Sequence, residues 1–361
     1  MSSVNKDIVL VTGSSGFLGQ HIVKLLQEKD DEVEEIRLFD SRPYKNNLGH
    51  EEKKPMKHII GDLRNMQKLE EALTGVTCVI HAAAVIDVSL FSDRELLEYV
   101  NVNGTKNVID ACIKKNVPKL IFTSSVDVCI GGEHIFYGTE STTPIPKKFL
   151  MGPYAETKCR AEQMILDASG TLLNDGETKL RTLSLRPTVI YGEEDRFLVT
   201  SILRMAKENN GIVRRIHSLD ERLQMTYVGN AAWAHIKAKQ TIGKDESVSG
   251  EAFFVTDDTP IIDIYENIRP FVEERGFKLS EYVIPYWIVF LFLFFIASIT
   301  RLISFVFVPP WRIQNPSTLD YICSTFFFNR SKAILRLGYQ PIYTPEESRE
   351  KSITFYSKVQ L

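Results

Sequence analysis

Cysteine is scarce in this chain of 361 residues: there are 5, at positions 78, 112, 129, 159 and 323. An odd, scattered set supplies no disulfide framework, and none sits at metal-ligand spacing, so no metal is expected. Several lie among apolar residues of expected strands and helices, as reduced cysteine does in a protein facing the cytosol. An excess of one charge is lacking too. Lys and Arg total 43, Asp and Glu total 46, and the net charge is −3. No basic surface for nucleic acid follows from that balance. Internal repeats and low-complexity tracts are missing, so nothing suggests a repeat architecture. Residues 1–12 read as a first strand and its lead-in rather than as a signal peptide. The length allows one large domain, or a domain with a smaller lobe.

What is present begins at a glycine-rich turn. Gly13, Ser14, Ser15, Gly16, Phe17, Leu18 and Gly19 follow the apolar run at 8–11 and open into residues with helical apolar spacing. Strand, glycine turn and helix together bind a dinucleotide pyrophosphate. The first glycine makes the tight turn, the second lets the backbone approach the phosphates, and the third lets helix pack on strand. A plain βα turn can also be glycine-rich, and the strand and helix on either side favour the dinucleotide reading. Asp40 ends the next apolar run, about twenty residues on, where a carboxylate accepts hydrogen bonds from the adenosine ribose. Its charge repels a 2′-phosphate and favours NAD over NADP, although Arg42 could accommodate a phosphate. Asp40 could also serve only as a strand-end turn residue.

Apolar runs at 8–11, 36–39, 58–60, 78–81 and 120–123 alternate with helical patterns, notably 95–115. This is the rhythm of a parallel, doubly wound sheet. Asp62 and Leu63 end the third strand, where an Asp can meet the adenine. Ala82 follows the fourth, where small residues leave room for the cofactor. The polar residues of Asn101-Val102-Asn103-Gly104-Thr105 could touch the cofactor or merely cap and bend a helix. From about residue 192 the rhythm loosens, which suggests a smaller substrate lobe at 192–361, partly interleaved with the sheet of a domain at 1–191. Tyr154 and Lys158 are four residues apart on an expected helix and so share a face. An ammonium beside a phenol favours the phenolate, which can take a proton from an alcohol. The fifth strand ends in Thr123-Ser124-Ser125, and a serine hydroxyl there could hold the reacting oxygen. Arg186 and Tyr191 read better as an ion pair and a packed aromatic than as substrate contacts.

These residues resemble the extended short-chain dehydrogenase/reductase family. The motifs run almost end to end: TGSSGFLG at 12–19, Asp62, HAAA at 81–84, NVNGT at 101–105, TSS at 123–125, YAETK at 154–158 and LRPTVIYG at 185–192. The stretch YVGNAAWAH at 227–235, the DDTP at 257–260 and a hydrophobic segment look like the 3β-hydroxysteroid dehydrogenase/Δ5-isomerase branch. The resemblance implies a Rossmann-type α/β fold, NAD as cofactor, Ser125, Tyr154 and Lys158 as catalytic residues, and Tyr154 and Lys158 also as cofactor contacts. It implies an isomerase role for Asp257 or Asp258. Of the two, Asp258 is expected to be the isomerase carboxylate. A solvated turn before Pro260 is the other reading of both. The stretch 147–152 departs from the pattern of vertebrate members and leaves the sterol open.

One uncharged run is long enough to meet a bilayer: residues 282–300, continuing after Arg301 to 308. It is apolar on all sides, unlike a surface helix of a soluble enzyme, and Tyr286, Trp287 and Trp311 could sit at the interface. A helix buried in the substrate lobe is the competing reading. Residues 328–347 resemble the closing segment of the family, so the chain must return to the side it left. Two crossings need about forty apolar residues. A monotopic or re-entrant membrane segment at 283–308 is therefore expected, on the endoplasmic reticulum with the catalytic domain in the cytosol, or on a mitochondrial membrane.

The expected activity is NAD-dependent oxidation of the 3β-hydroxyl of a Δ5-steroid or sterol, followed by isomerisation. The partners are a hydrophobic sterol and the bilayer, and a homo-oligomer is compatible with the sequence. A sterol-4-carboxylate 3-dehydrogenase would use the same Ser, Tyr and Lys. Nucleotide-sugar epimerases share the fold, but the oily run argues for a lipid-like substrate. A non-catalytic NAD-sensing scaffold is disfavoured because Tyr154 and Lys158 are both kept.

Overall fold

The computed structural model describes residues 6–217, 222–303 and 315–361. The apolar, branched runs form buried strands. In β1 (Asp7–Thr12), Val9, Leu10 and Val11 have no exposed surface, as expected of a strand covered on both faces. β2 (Val33–Asp40), β3 (Met56–Ile60), β4 (Cys78–His81), β5 (Lys119–Thr123), β6 (Arg181–Pro187) and β7 (Glu251–Val255) complete a parallel sheet of 7 strands. Their spatial order is β3-β2-β1-β4-β5-β6-β7. The order reverses between β1 and β4. Ligand crevices open at such a switch point, outside the carboxyl ends of the strands.

Helices cover both faces. α1 (Phe17–Lys29) follows the glycine turn, and α2 (Gly104–Lys114) follows β4 through a π-helical turn at Glu98–Asn103. α3 (Gly152–Asp167) carries the Tyr-Lys pair and has a proline in its first turn, where no backbone N–H is needed. α4 (Val228–Ile242) packs on α1 and the sheet. The stretch 228–255 lies beyond the boundary at 191, yet it supplies α4 and β7 to the sheet layers. The chain weaves between the two regions on either side of residue 191.

Beyond the sheet layers lie the helices Leu198–Glu208 and Ile264–Glu274 and a parallel pair of strands, Ile212–His217 with Lys278–Pro285. This pair corrects the expected membrane segment at 283–308. Val283, Ile284 and Pro285 are strand residues paired with Arg215, Ile216 and His217. The apolar helix, α5 (Tyr286–Ile303), starts after them. Residues 304–308 and Trp311 lie outside the described residues. The 18 residues of α5 have a mean hydropathy of 2.1, and only Ala297 and Thr300 are buried. Trp287, Leu291, Phe292 and Phe295 are exposed by 56–65%. The chain on either side of α5 belongs to the same body. Before it runs the paired strand, and after it α6 (Pro316–Ile322) packs on α5 while Phe326–Phe328 pairs with Ile135–Gly138. All 5 cysteines are free and buried.

Candidate active site

A cleft of about 780 Å³ opens at the switch point. Its cofactor end is built by glycine. Gly13 has φ +71°, and a Cβ there would come within 2.8 Å of Ala83 backbone. A Cβ on Gly19 would come within 2.0 Å of the Gly13 carbonyl oxygen. Only hydrogen fits at either position, so β1, the Ala82-Ala83 backbone and α1 are drawn together at one point. Gly16 caps α1 without any side-chain hydrogen bond. The first N–H groups of α1 thus have no capping side chain, and with the positive end of the helix dipole they form an anion cradle. The residues fit a dinucleotide.

The site residues expected from the sequence divide into two groups. Gly13, Gly16, Phe17, Leu18, Gly19, Asp40, Asp62, Leu63 and Ala82 line the cleft, as do Ser125, Tyr154 and Lys158. Ser14 and Ser15 do not. Ser14 is fully buried behind the turn, and the Ser15 N–H is bound to Asp40 Oδ2 at 3.0 Å. Asp40 also accepts the Arg42 N–H at 2.9 Å, so it braces the turn as well as facing the cleft. Asp62 holds Arg64 through a 2.6 Å ion pair at the cleft edge. Asn101 bonds the Val85 N–H and carbonyl and the Thr157 hydroxyl, tying the strand-end loop to α3. It acts as a brace, carried on the π-helical turn that leads into α2.

Asp257 and Asp258 require correction. Neither lines the cleft. Asp257 is buried among the Tyr227 N–H at 2.9 Å, the Asn230 amide at 2.9 Å and the Thr259 N–H at 3.0 Å. It fastens α4 to the turn after β7. Asp258 is exposed and paired with Arg330. The two side chains are held by different partners, and neither lines the cleft.

The catalytic groups meet at the end of β5. Lys158 Nζ donates to the Thr123 carbonyl at 2.6 Å and lies 4.2 Å from the centre of the Phe122 ring. Burial pushes its ammonium down to about 7. Burial also raises the Tyr154 phenol, and the Asp127 carboxylate raises it further. The lowering of the phenol expected from Lys158 is not the dominant influence. Arg186 is buried against Glu162 in a 2.6 Å ion pair, and the Tyr191 hydroxyl meets Thr259, so both are structural.

Asp127 was not anticipated from the sequence. It lies two residues beyond Ser125, on a 3₁₀ turn at Val126–Cys129, and lines the cleft. The Ser125 hydroxyl donates to Asp127 Oδ2 at 2.9 Å, and the Asp127 N–H returns to Ser125 Oγ at 3.2 Å. Burial raises its carboxyl above the usual range, against the opposing pull of Ser125 and Tyr321. The signal was available: an acidic residue follows a strand-end serine at the carboxyl edge of a parallel sheet.

The model of the 3-beta hydroxysteroid dehydrogenase/isomerase family matches residues 10–286. The chain belongs to that family. Solved structures with the same fold include MoeE5 in complex with UDP-glucuronic acid and NAD, at 19% identity and a TM-score of 0.69, covering 96% of this chain and 98% of that one. A UDP-galactose 4-epimerase matches at 18% identity and a TM-score of 0.69, over 97% and 98% of the two chains. The ADP-L-glycero-D-manno-heptose-6-epimerase of Helicobacter pylori matches at 17% and 0.67, over 99% and 98%.

Proposed function

We propose that this family member is an NAD-dependent dehydrogenase that oxidises the 3β-hydroxyl of a Δ5-steroid or sterol and then moves the double bond from Δ5 to Δ4. One observation carries the reading: Ser125, Tyr154 and Lys158 converge in a cleft whose other end is the glycine cradle. On this reading Tyr154 takes the hydroxyl proton, Ser125 holds the oxygen at C3, and Lys158 adds positive charge behind the phenol. Bound NAD supplies the hydride acceptor and a positively charged nicotinamide ring. A charged Lys158 would favour the phenolate against the burial that raises the phenol. Asp40 at the ribose position and the NAD of neighbours such as MoeE5 support NAD as the cofactor.

The walls support a lipid. Val85, Ile86, Val88, Val189, Ile190 and Ile322 line the cleft beyond the cradle, a surface suited to fused hydrocarbon rings and poorly suited to a nucleotide sugar. A 4-carboxysterol would bring a carboxylate near the Asp127 carboxylate, and like charges disfavour that reading. The enzyme sits, in this proposal, on the endoplasmic reticulum membrane with α5 in the cytosolic leaflet and the body in the cytosol. The support is an exposed helix apolar on every side, whose Tyr286 hydroxyl donates to Asp320 of α6 at 2.5 Å. Thr318, Tyr321 and Ile322 of α6 in turn wall the cleft. The bilayer surface would then lie beside the substrate entrance.

The test is an assay of the detergent-purified chain with NAD and a panel of 3β-hydroxysterols, following NADH absorbance. NADH formation with a Δ5-3β-hydroxysterol and appearance of a conjugated ketone are expected. Turnover of UDP-sugars alone, or release of carbon dioxide from a 4-carboxysterol, would replace the reading.

A further inference from the structure

We propose that Asp127 is the carboxylate that shuttles the proton in the isomerisation step, the role that Asp257 and Asp258 cannot fill from their positions. The inference rests on the dehydrogenase–isomerase reading and adds the residue that reading lacks. It stands on three observations. Asp127 lines the cleft two residues from Ser125 and is bonded to its hydroxyl. Asp127 Oδ1 is out of solvent and has no hydrogen-bond partner among the described residues. The groups facing the carboxyl are Tyr154 from α3 and Tyr321 from α6, and burial holds both phenols neutral. A carboxylate in these surroundings accepts from Ser125 at Oδ2 and feels the pull of the Tyr321 hydroxyl, with both partners at the cleft.

The geometry suits the reaction. Ser125 and Tyr154 flank the site of O3, and C4 is the carbon next to C3. Asp127 therefore lies beside the carbon that must lose a proton. In the first step the C4–H bond breaks and its proton passes to Asp127. The bonding pair forms the C3–C4 double bond, and the carbonyl pair moves to O3, giving the dienolate. In the second step the oxygen pair re-forms the carbonyl and the C3–C4 pair moves to C4–C5. The C5–C6 pair takes the proton back from Asp127 at C6. Nothing is oxidised or reduced, and one carboxyl serves both transfers.

Ser125 couples to this cycle. While Asp127 is charged, the Ser125 hydrogen points at Oδ2. Once Asp127 carries the proton, Oδ2 becomes a weaker acceptor. The hydroxyl can then turn to O3, where negative charge has just appeared. Proton uptake and oxyanion stabilisation are thus linked through one hydrogen bond. The raised carboxyl lowers the penalty for holding the proton between the two steps.

The experiment supplies androst-5-ene-3,17-dione, a Δ5-3-ketosteroid, to the NADH-bound enzyme and follows the conjugated Δ4-ketone by ultraviolet absorbance. This bypasses the dehydrogenase step. Asp127→Asn is expected to slow isomerisation by at least about 100-fold, the range that loss of an acid–base group produces. NADH affinity, read by fluorescence, should stay within about 3-fold. Asp127→Glu should recover part of the rate, and Asp258→Asn should leave it unchanged. If Asp127→Asn does not fold, Asp127→Glu carries the test through a shifted pH–rate profile. Isomerisation by Asp127→Asn at near the wild-type rate, or a Glu variant with an unaltered rate and profile, overturns the assignment alone. A wild-type enzyme that forms NADH from sterols but leaves the Δ5-ketone untouched overturns the isomerase reading with it.

Discussion

Gly19 is the residue on which the cofactor end turns. A methyl group there would meet the Gly13 carbonyl oxygen at 2.0 Å and the Ser14 Cα at 2.9 Å. Both are backbone atoms, so no side chain can move aside, and α1 must shift from β1. Gly19→Ala should weaken NADH binding by at least about tenfold in a fluorescence titration and lower the melting temperature, as overpacking by a methyl costs about 1–3 kcal/mol. Gly132→Ala is the matching control, because its added Cβ meets nothing within 4 Å among the described residues. Wild-type affinity in Gly19→Ala would remove the close approach from the cradle. Tyr154→Phe deletes only the oxygen that receives the alcohol proton. Oxidation is expected to fall by at least about 100-fold while NAD affinity stays near the wild-type value. Turnover close to normal would take Tyr154 out of the chemistry.

Two buried histidines lock the elements that hold these residues. His81, at the end of β4, accepts from the Thr12 hydroxyl at Nδ1, 2.7 Å, and donates from Nε2 to Thr105 at 3.0 Å. The directions follow because Thr12 already accepts the Ala83 N–H and Thr105 already donates to the Asn101 carbonyl. His235, on α4, donates from Nδ1 to the Ala231 carbonyl and accepts from the Thr123 hydroxyl at 2.7 Å. Thr123 is the residue whose carbonyl holds Lys158. Burial pushes His81 down to about 3 and His235 down to about 4, against 6.5 when unfolded. The folded state therefore binds fewer protons than the unfolded state below pH 6.5. Stability is full above that value and falls as pH drops towards 4. Urea midpoints should decrease between pH 7.5 and 5.5, and His81→Asn, which keeps one donor and one acceptor, should flatten the slope. An unchanged midpoint in the wild type would contradict the neutral pairing. These links also mark what the sequence could disclose. The glycine turn and the Tyr154–Lys158 spacing are local, set by one strand-to-helix turn and one helical turn, and they are readable. Asp257 looks catalytic until its partners appear, and those are Tyr227 and Asn230, 30 and 27 residues away. Val283 and Ile284 are as apolar as the helix that follows, and only pairing with the strand at Ile212–His217 makes them extended.

At the scale of the whole molecule, one helix stands apart from the buried apolar clusters, with only Ala297 and Thr300 of its residues buried. A straight helix of 18 residues is about 27 Å long, close to the thickness of a bilayer's hydrocarbon. Length alone would permit a single crossing, but connectivity opposes it. The strand at Lys278–Pro285 before α5 and the segments after it, down to the fully buried Tyr356 of helix Pro345–Tyr356, pack into one body. On the proposed membrane reading, a helix whose two flanks return to the same body would insert from one side. Phe292 and Phe295 are 61% and 65% exposed, so changing them leaves the core intact. Phe292→Lys with Phe295→Lys should move the protein from the membrane pellet to the supernatant. Each lysine opposes insertion by about 2.5–3.5 kcal/mol at full depth and less near the interface. NADH formation from detergent-dispersed sterol should survive in this variant, while oxidation of sterol held in vesicles should fall at least about tenfold. Wild-type protein that is soluble without detergent, or a double variant that still pellets, would remove the bilayer from the account. Protease added to sealed microsomes should cleave tags at both termini. A C-terminal tag protected while the N-terminal tag is cut would mean that the chain crosses once, and the helix would then have to leave the body that holds both of its flanks.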